Sequence, residues 1–248
     1  GRGLLIAVEE LAVPEPPSGM EIQANLWLGR VLNYGAQNAS GRAEVLSKAL
    51  GDRDVSPPWL AELAAHAGEA LAESGQGAQA LAVFRKALAY SPSSPKLLAR
   101  LDELLQEQGS PEERAAMYQT ALQTAEDPAA KRKLLHKIGM LELSELGNPA
   151  AAAETFRKIL NEEPSDRKAY EALLAAHEKM GPSEAYYADL EQGLQKAEGK
   201  EREALRLKLA QIALALGNKD HALEQYRGLL ADNAAFSPQD FVTLEKLA

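Results

Sequence analysis

The stretch Ala80-Leu81-Ala82-Val83-Phe84-Arg85-Lys86-Ala87-Leu88-Ala89-Tyr90-Ser91-Pro92 decides the fold. Ala80 and Phe84 stand one helical turn apart, Ala87 follows on the same side, and Pro92 closes the segment. Residues three and four apart share a helix face, so this is a short helix with a small–aromatic–small stripe and a proline stop. The same arrangement returns as Ala152-x3-Phe156 with Pro164 behind it, and as Ala222-x3-Tyr226. A stripe that recurs along the chain implies an internal repeat, in which each unit touches only its neighbours, rather than one closed core.

The punctuation agrees. Gly75, Gly109, Gly147, Gly181 and Gly217 each close an apolar-periodic stretch, at intervals of 34, 38, 34 and 36 residues. Glycine tolerates the left-handed backbone that ends a helix, and that conformation is expected at all five. Helix starts are marked by Ser56-Pro57-Pro58, by the capping box Ser110-Pro111-Glu112-Glu113, by Asn148-Pro149 and Gly181-Pro182, and by Ser237-Pro238-Gln239-Asp240. Between the marks, Leu97, Leu98, Leu101, Leu104 and Leu105 form one helical stripe, and Leu134, Leu135, Ile138, Leu141 and Leu143 a broader one. No stretch reads as a strand. The longer interval around Asp127-Pro128 is expected to lengthen a helix or a loop.

Composition narrows the class further. Hydrophobic residues make up 46% of the 248 positions but aromatic ones only 5%, so the core is built on Ala and Leu, which suits close helix packing. The net charge of −9 and a pI near 5.1 argue against nucleic acid, which needs a basic stripe. The chain has no cysteine, which removes disulfides and thiolate chemistry. No apolar run approaches the roughly 20 residues that span a bilayer, so no membrane insertion is expected. Without an initiating Met the chain reads as an excised segment, expected in the cytoplasm, with the periplasm or envelope as the alternative.

These features resemble the tetratricopeptide repeat, a helical hairpin of about 34 residues with the pattern W-x2-L-G-x2-Y…A-x3-F…P. Ala64, Ala67, Gly68 and Leu71 stand in the first-helix places, followed by Ala80, Phe84, Ala87 and Pro92; a later unit supplies Leu143, Ala152, Phe156 and Pro164. Arg114 departs from the small-residue place, although Tyr118 and Ala121 fit, and Tyr186, Leu190 and Gly193 match weakly. The resemblance implies an all-α, right-handed α-solenoid of stacked helix–turn–helix hairpins. About six hairpins are expected over residues 19–236, with 1–18 as a terminal segment and Pro-rich linker. Residues 237–248 would form a capping helix or the first helix of a further repeat. Phe84, Tyr118, Phe156 and Tyr226 belong to the core of such a fold, not to a site.

The resemblance also implies a concave surface lined by the first helix of each pair. Carried onto this chain, that lining comprises Glu62, Glu69 and Glu73, then Lys96, Glu103 and Glu107, then Lys137 and Glu145, then Lys168, Glu171, Glu178 and Lys179. It is mixed in charge and leans acidic, favouring a basic or amphipathic peptide or helix of another protein; a solvated helix face is the alternative. Trp27, Val31 and Tyr34 fall on the corresponding face of the first unit and would be an apolar anchor if exposed; the alternatives are that they pack under residues 1–13 or belong to the core after a register shift. The Lys and Asn pair with which relatives grip acidic chaperone tails is absent, since Leu141 follows Lys137 at that spacing. His66, His136, His177 and His221 sit in separate units, and no metal, nucleotide or hydrolase motif is present. The expectation is a non-catalytic protein-interaction scaffold without cofactor or metal. A docking arm of a larger enzyme or regulator, and a structural subunit of an envelope or secretion assembly, are the alternatives.

Overall fold

The computed structural model describes residues 57–232 and 238–247, together with positions 40, 41, 43 and 46. Among the described residues all regular structure is helical and there is no strand. The chain divides into two units, Gly1–Leu134 and Leu135–Ala248. The first holds α1 (Pro57–Glu73), α2 (Gly77–Tyr90), α3 (Pro95–Gln108) and α4 (Pro111–Thr124). Helix α5 (Pro128–Ser144) contains the division. The second unit continues with α6 (Pro149–Glu162), α7 (Arg167–Met180), α8 (Glu184–Leu194), α9 (Gly199–Ala215), α10 (Lys219–Ala231) and α11 (Pro238–Leu247).

Six of the helix starts carry a side-chain acceptor, whereas those of α2, α3 and α9 have none. The first amides of a helix lack intrahelical partners, and a side-chain oxygen just before them supplies one. Ser110 Oγ accepts from the Glu113 amide at 3.2 Å, and Asn148 Oδ1 accepts from the Ala151 amide at 3.2 Å. Asp127 Oδ2 accepts from the Ala130 amide at 2.9 Å, so the longer interval around Asp127-Pro128 lengthens a helix, α5. Asp166, Ser183 and Asn218 cap α7, α8 and α10 in the same way. At the stops, Gly75, Gly147, Gly181 and Gly217 take φ of 79°, 59°, 89° and 79°. Gly109 departs from the expectation. Its φ is −112°, an ordinary extended value, and a Cβ there would lie 2.6 Å from Leu105 Cδ2. Space, not handedness, selects glycine at that stop.

The hairpins share one interior joint. In the first, Gly68 of α1 lies under the Phe84 ring of α2, and a Cβ at Gly68 would stand 2.6–2.8 Å from three ring carbons. Ala80 lies twelve residues after Gly68 and Phe84 sixteen after it; both are 0% exposed. The same three places hold Asp102, Arg114 and Tyr118 in the second hairpin, and Gly139, Ala152 and Phe156, with one residue added, in the third. They hold Leu174, Tyr186 and Leu190 in the fourth and Ala210, Ala222 and Tyr226 in the fifth. Interiors pack at crystal-like density, so a change at one place must be answered at another. Gly139 receives Phe156 as Gly68 receives Phe84, with Cζ at 2.7 Å from a built Cβ. Where Leu190 replaces the ring, Leu174 and Tyr186 fill the volume.

The second hairpin answers by charge. Arg114, out of pattern in the sequence, is 7% exposed and its Nε donates to Asp102 Oδ1 at 2.7 Å. Tyr118 donates its hydroxyl to the same carboxylate; burial first, and that bond second, push its phenol far above the ordinary range. An unpaired buried charge is costly, so the two departures from the repeat pattern explain each other. The rings placed in the core from sequence are there: Phe84 and Phe156 at 0%, Tyr118 at 3% and Tyr226 at 2% exposure. In the first unit Ala43 and Leu46 join the cluster formed by α1, α2 and α3.

Candidate protein-binding surface

Once the joint fixes which side of each first helix is buried, the outward side follows. On α1 it presents Glu62, His66, Glu69 and Glu73, and on α3 Lys96, Arg100, Glu103 and Glu107. The two rows have identical spacing and correspond one to one. Five acids stand against two permanent cations. Lys96 Nζ reaches across to Glu69 Oε1 at 3.6 Å, and His66 Nδ1 lies 3.5 Å from Glu69 Oε2. The bond from His66, opposed by partial burial and helped by Lys96, holds the Glu69 carboxyl below the usual range. Arg100 pairs with Glu103 one turn along α3. Glu62, Glu73, Lys96, Glu103 and Glu107 are exposed, while Glu69 is half-buried.

In the second unit the expected lining divides into two rows. Lys137, Lys168 and Lys179 are exposed, together with Met140 at 48%. Lys179 Nζ donates to the Leu143 carbonyl at 2.8 Å, tying α7 to α5. Glu171 and Glu178 stand on the side of α7 that faces α9. Arg167 Nε donates to Glu171 at 2.9 Å and its Nη2 lies 3.6 Å from Glu201, while Glu178 pairs with Lys208. Glu145 lies one residue past the end of α5 and is exposed. The acidic lean of the expected lining therefore lies on α1 and α3, since its acids and lysines balance in the second unit. Trp27, Val31 and Tyr34 lie outside the described residues.

Sequence reasoning missed His66, Arg100 and Met140. A 34-residue offset applied to Glu62 and Glu69 would have found Arg100 from His66, because the rows repeat at that interval. Two open clefts lie elsewhere. One of about 520 Å³ is lined by Leu88, Pro92, Leu101, Leu105 and Met117, with the Arg85–Glu113 pair (2.8 Å) at its rim. A smaller one of about 200 Å³ lies between the Pro164–Arg167 turn, Tyr170 and Lys196. Burial, with Asp189 and Glu201 nearby, pushes the Tyr170 phenol up to about 12. The four histidines have separate neighbours: Glu69 for His66, Asp166 for His136, Asp189 for His177 and Asn218 for His221. Among the described residues no group of three or more His, Asp and Glu is placed to hold a metal. No helix of the described residues is long and apolar enough to cross a membrane.

Consecutive hairpins, each closed by a small or compensated place beneath a buried side chain, now stand beside solved structures. A chain in a structure of Naa15/Naa10 bound to HypK-THB superposes with TM-score 0.57 over 82% of this chain and 30% of its own, at 16% identity. The fold is tetratricopeptide-like. A tetratricopeptide repeat protein from Parabacteroides merdae matches 91% of this chain and 98% of its own, at 18% identity and TM-score 0.40. MamA from Desulfovibrio magneticus RS-1 matches 70% and 94% at 14% identity and TM-score 0.42. No family model and no curated protein matches the chain. The tetratricopeptide-like hairpins account for the exposed rows on α1 and α3, since the joint takes up the other side of each helix.

Proposed function

We propose that the chain is a non-catalytic protein-interaction scaffold that holds a basic or amphipathic peptide or helix against the outward rows of its first helices. The observation that carries this reading is the repeated pair of rows, Glu62/His66/Glu69/Glu73 beside Lys96/Arg100/Glu103/Glu107. They are cross-linked by the Lys96–Glu69 contact at 3.6 Å. A surface already fixed by its own ion pairs loses little side-chain freedom on binding, which lowers the cost of association. Glu62 and Glu107 offer exposed carboxylates to lysine or arginine side chains. Taken by itself, the second unit presents the exposed Lys137, Lys168 and Lys179, of the opposite sign, and the exposed Met140. The structure of Naa15/Naa10 bound to HypK-THB places a chain of similar fold in a protein complex, which accords with the reading.

The test is fluorescence anisotropy with two labelled amphipathic helical peptides, one built on leucine and lysine and the other on leucine and glutamate. The lysine peptide should bind the chain, and Glu62→Lys with Glu107→Lys should weaken it by roughly tenfold or more with an unchanged circular dichroism spectrum. The glutamate peptide should bind the double variant better than the native chain. Equal affinity of native and variant protein for the lysine peptide would remove α1 and α3 as the site.

A further inference from the structure

The α7–α8 joint differs in kind from the others. The adjoining hairpins close on an apolar fit, Phe156 over Gly139 and Tyr226 with Ala210. Here Tyr186 occupies the small-residue place and lies flat on the His177 imidazole, with ring centroids 5.0 Å apart and planes 5° apart. Both rings are buried, Tyr186 at 2% and His177 at 1% exposure. His177 Nδ1 and the Tyr186 hydroxyl have no hydrogen-bond partner. Buried polar atoms without a protein partner contribute less to an interface than paired ones do.

The hydrogen bonds that tie α8 to α6 and α7 converge on Asp189, beside the Tyr186–His177 stack; the exposed Arg167–Glu201 and Glu178–Lys208 pairs from α7 to α9 add little. Arg157 Nη2 of α6 donates to Asp189 Oδ2 at 2.8 Å, His177 Nε2 of α7 lies 2.7 Å from the same oxygen, and the Tyr170 hydroxyl donates to the Asp189 carbonyl at 3.2 Å. The larger part of the apolar attachment of α8 lies on α9 and α10, although Tyr186 of the same cluster also covers His177 of α7. Tyr187 and Leu190 share a cluster with Leu205, Leu209, Ile212 and Ala213 of α9 and Ala222 of α10, and α7 adds the partly buried Leu174 to it. Tyr187 also stacks on His221 of α10, with centroids 5.6 Å apart. The link between α7 and α8 runs through Gly181, at φ 89°, and Pro182.

We propose that this joint is a hinge, at which α8, α9 and α10 swing as one body away from α6 and α7, with the Asp189 carboxylate as its latch. An array that opens at one seam changes the spacing of its rows while exposing only the residues of that seam. The motion stands apart from the ligand reading, which places its strongest contacts on α1 and α3 and fails or survives by peptide binding alone.

The native chain has no cysteine, so paired spin labels can be placed cleanly. Lys158→Cys with Glu224→Cys spans the joint from α6 to α10, while Gln192→Cys with Glu224→Cys lies within the moving body; all three positions are exposed. Pulsed electron–electron double resonance on the full chain should give a broader distance distribution for the spanning pair than for the internal pair. Asp189→Asn should raise the long-distance population of the spanning pair by roughly tenfold, as loss of a charged hydrogen bond implies, and leave the internal pair unchanged. Tyr186→Phe keeps the stack and removes one orphaned oxygen, so it should narrow the spanning distribution. If the two pairs are equally narrow in the native chain, or if Asp189→Asn broadens both alike, there is no hinge at this joint.

Discussion

Replacing Gly68 by alanine should destabilise the protein, against the ordinary expectation for a glycine inside a helix. In an exposed helix interior that change gains about 0.8–1 kcal/mol. Here the new methyl would stand 2.6, 2.7 and 2.8 Å from three carbons of the Phe84 ring, and Phe84 is 0% exposed. The ring cannot swing into solvent, so the interface must widen. Overpacking of this kind costs about 1–3 kcal/mol. The two effects oppose each other, and the steric one wins by up to about 2 kcal/mol. Urea denaturation followed by circular dichroism reads the change: with a slope of about 2 kcal/mol per molar, the midpoint should fall by up to about one molar. Gly139→Ala should behave alike, since its methyl would lie 2.7 Å from Phe156 Cζ. Gly228→Ala is the control. Its methyl would meet the Arg206 guanidinium, which can turn aside only by leaving Asp232, so the loss should be smaller than for Gly68→Ala. Adding Phe84→Leu to Gly68→Ala should return part of the loss, a coupling expected only between residues in contact. A midpoint for Gly68→Ala at or above the native value would refute the close fit.

The second hairpin supplies a complementary expectation. Asp102→Ala leaves the Arg114 guanidinium buried without its partner and should cost about 3–5 kcal/mol, whereas Asp102→Gly with Arg114→Ala, which restores the pattern of the first hairpin, should cost much less; chemical denaturation of both variants checks this. Phe84→Ala and Phe156→Ala should each lose about 3–5 kcal/mol, and unchanged thermal midpoints would contradict their burial. Alkaline titration tests Tyr170: its folded value of about 12 lies above the ordinary value of 10. The phenol therefore contributes stability that is full below pH 10 and lost as pH rises through 12, and Tyr170→Phe should flatten that part of the stability profile.

The sequence made the hairpins legible because their joint uses residues with narrow tolerance. Gly68, Ala80 and Phe84 are constrained by contact, and the same constraint returns at Gly139, Ala152 and Phe156. Arg114 looked like a defect because its answer, Asp102, lies on another helix, and a pattern read one helix at a time cannot show a pair. The same blindness hid the Asp189 cluster, whose members Arg157, His177 and Tyr170 come from two other helices. Gly109 misled for a different reason: glycine at a helix end signals either a left-handed turn or a want of room, and the neighbouring letters do not distinguish them. For the outward rows, side-chain type and helix face were readable, but pairing was not. Glu171 and Glu178 read as lining until Arg167 and Lys208 are seen beside them.

The joint lies inside each hairpin, and this limits how such a gene could recombine. A crossover in the turn at Ser91–Ser94 would move whole hairpins and carry each matched trio intact. A crossover at Ser74–Gln76 would splice the first helix of one unit to the second of another, setting Gly68 beneath Arg114 or Asp102 beneath Phe84. Chimeras cut at the former place should be soluble and those cut at the latter should not, so the inheritable module is the hairpin and not the helix.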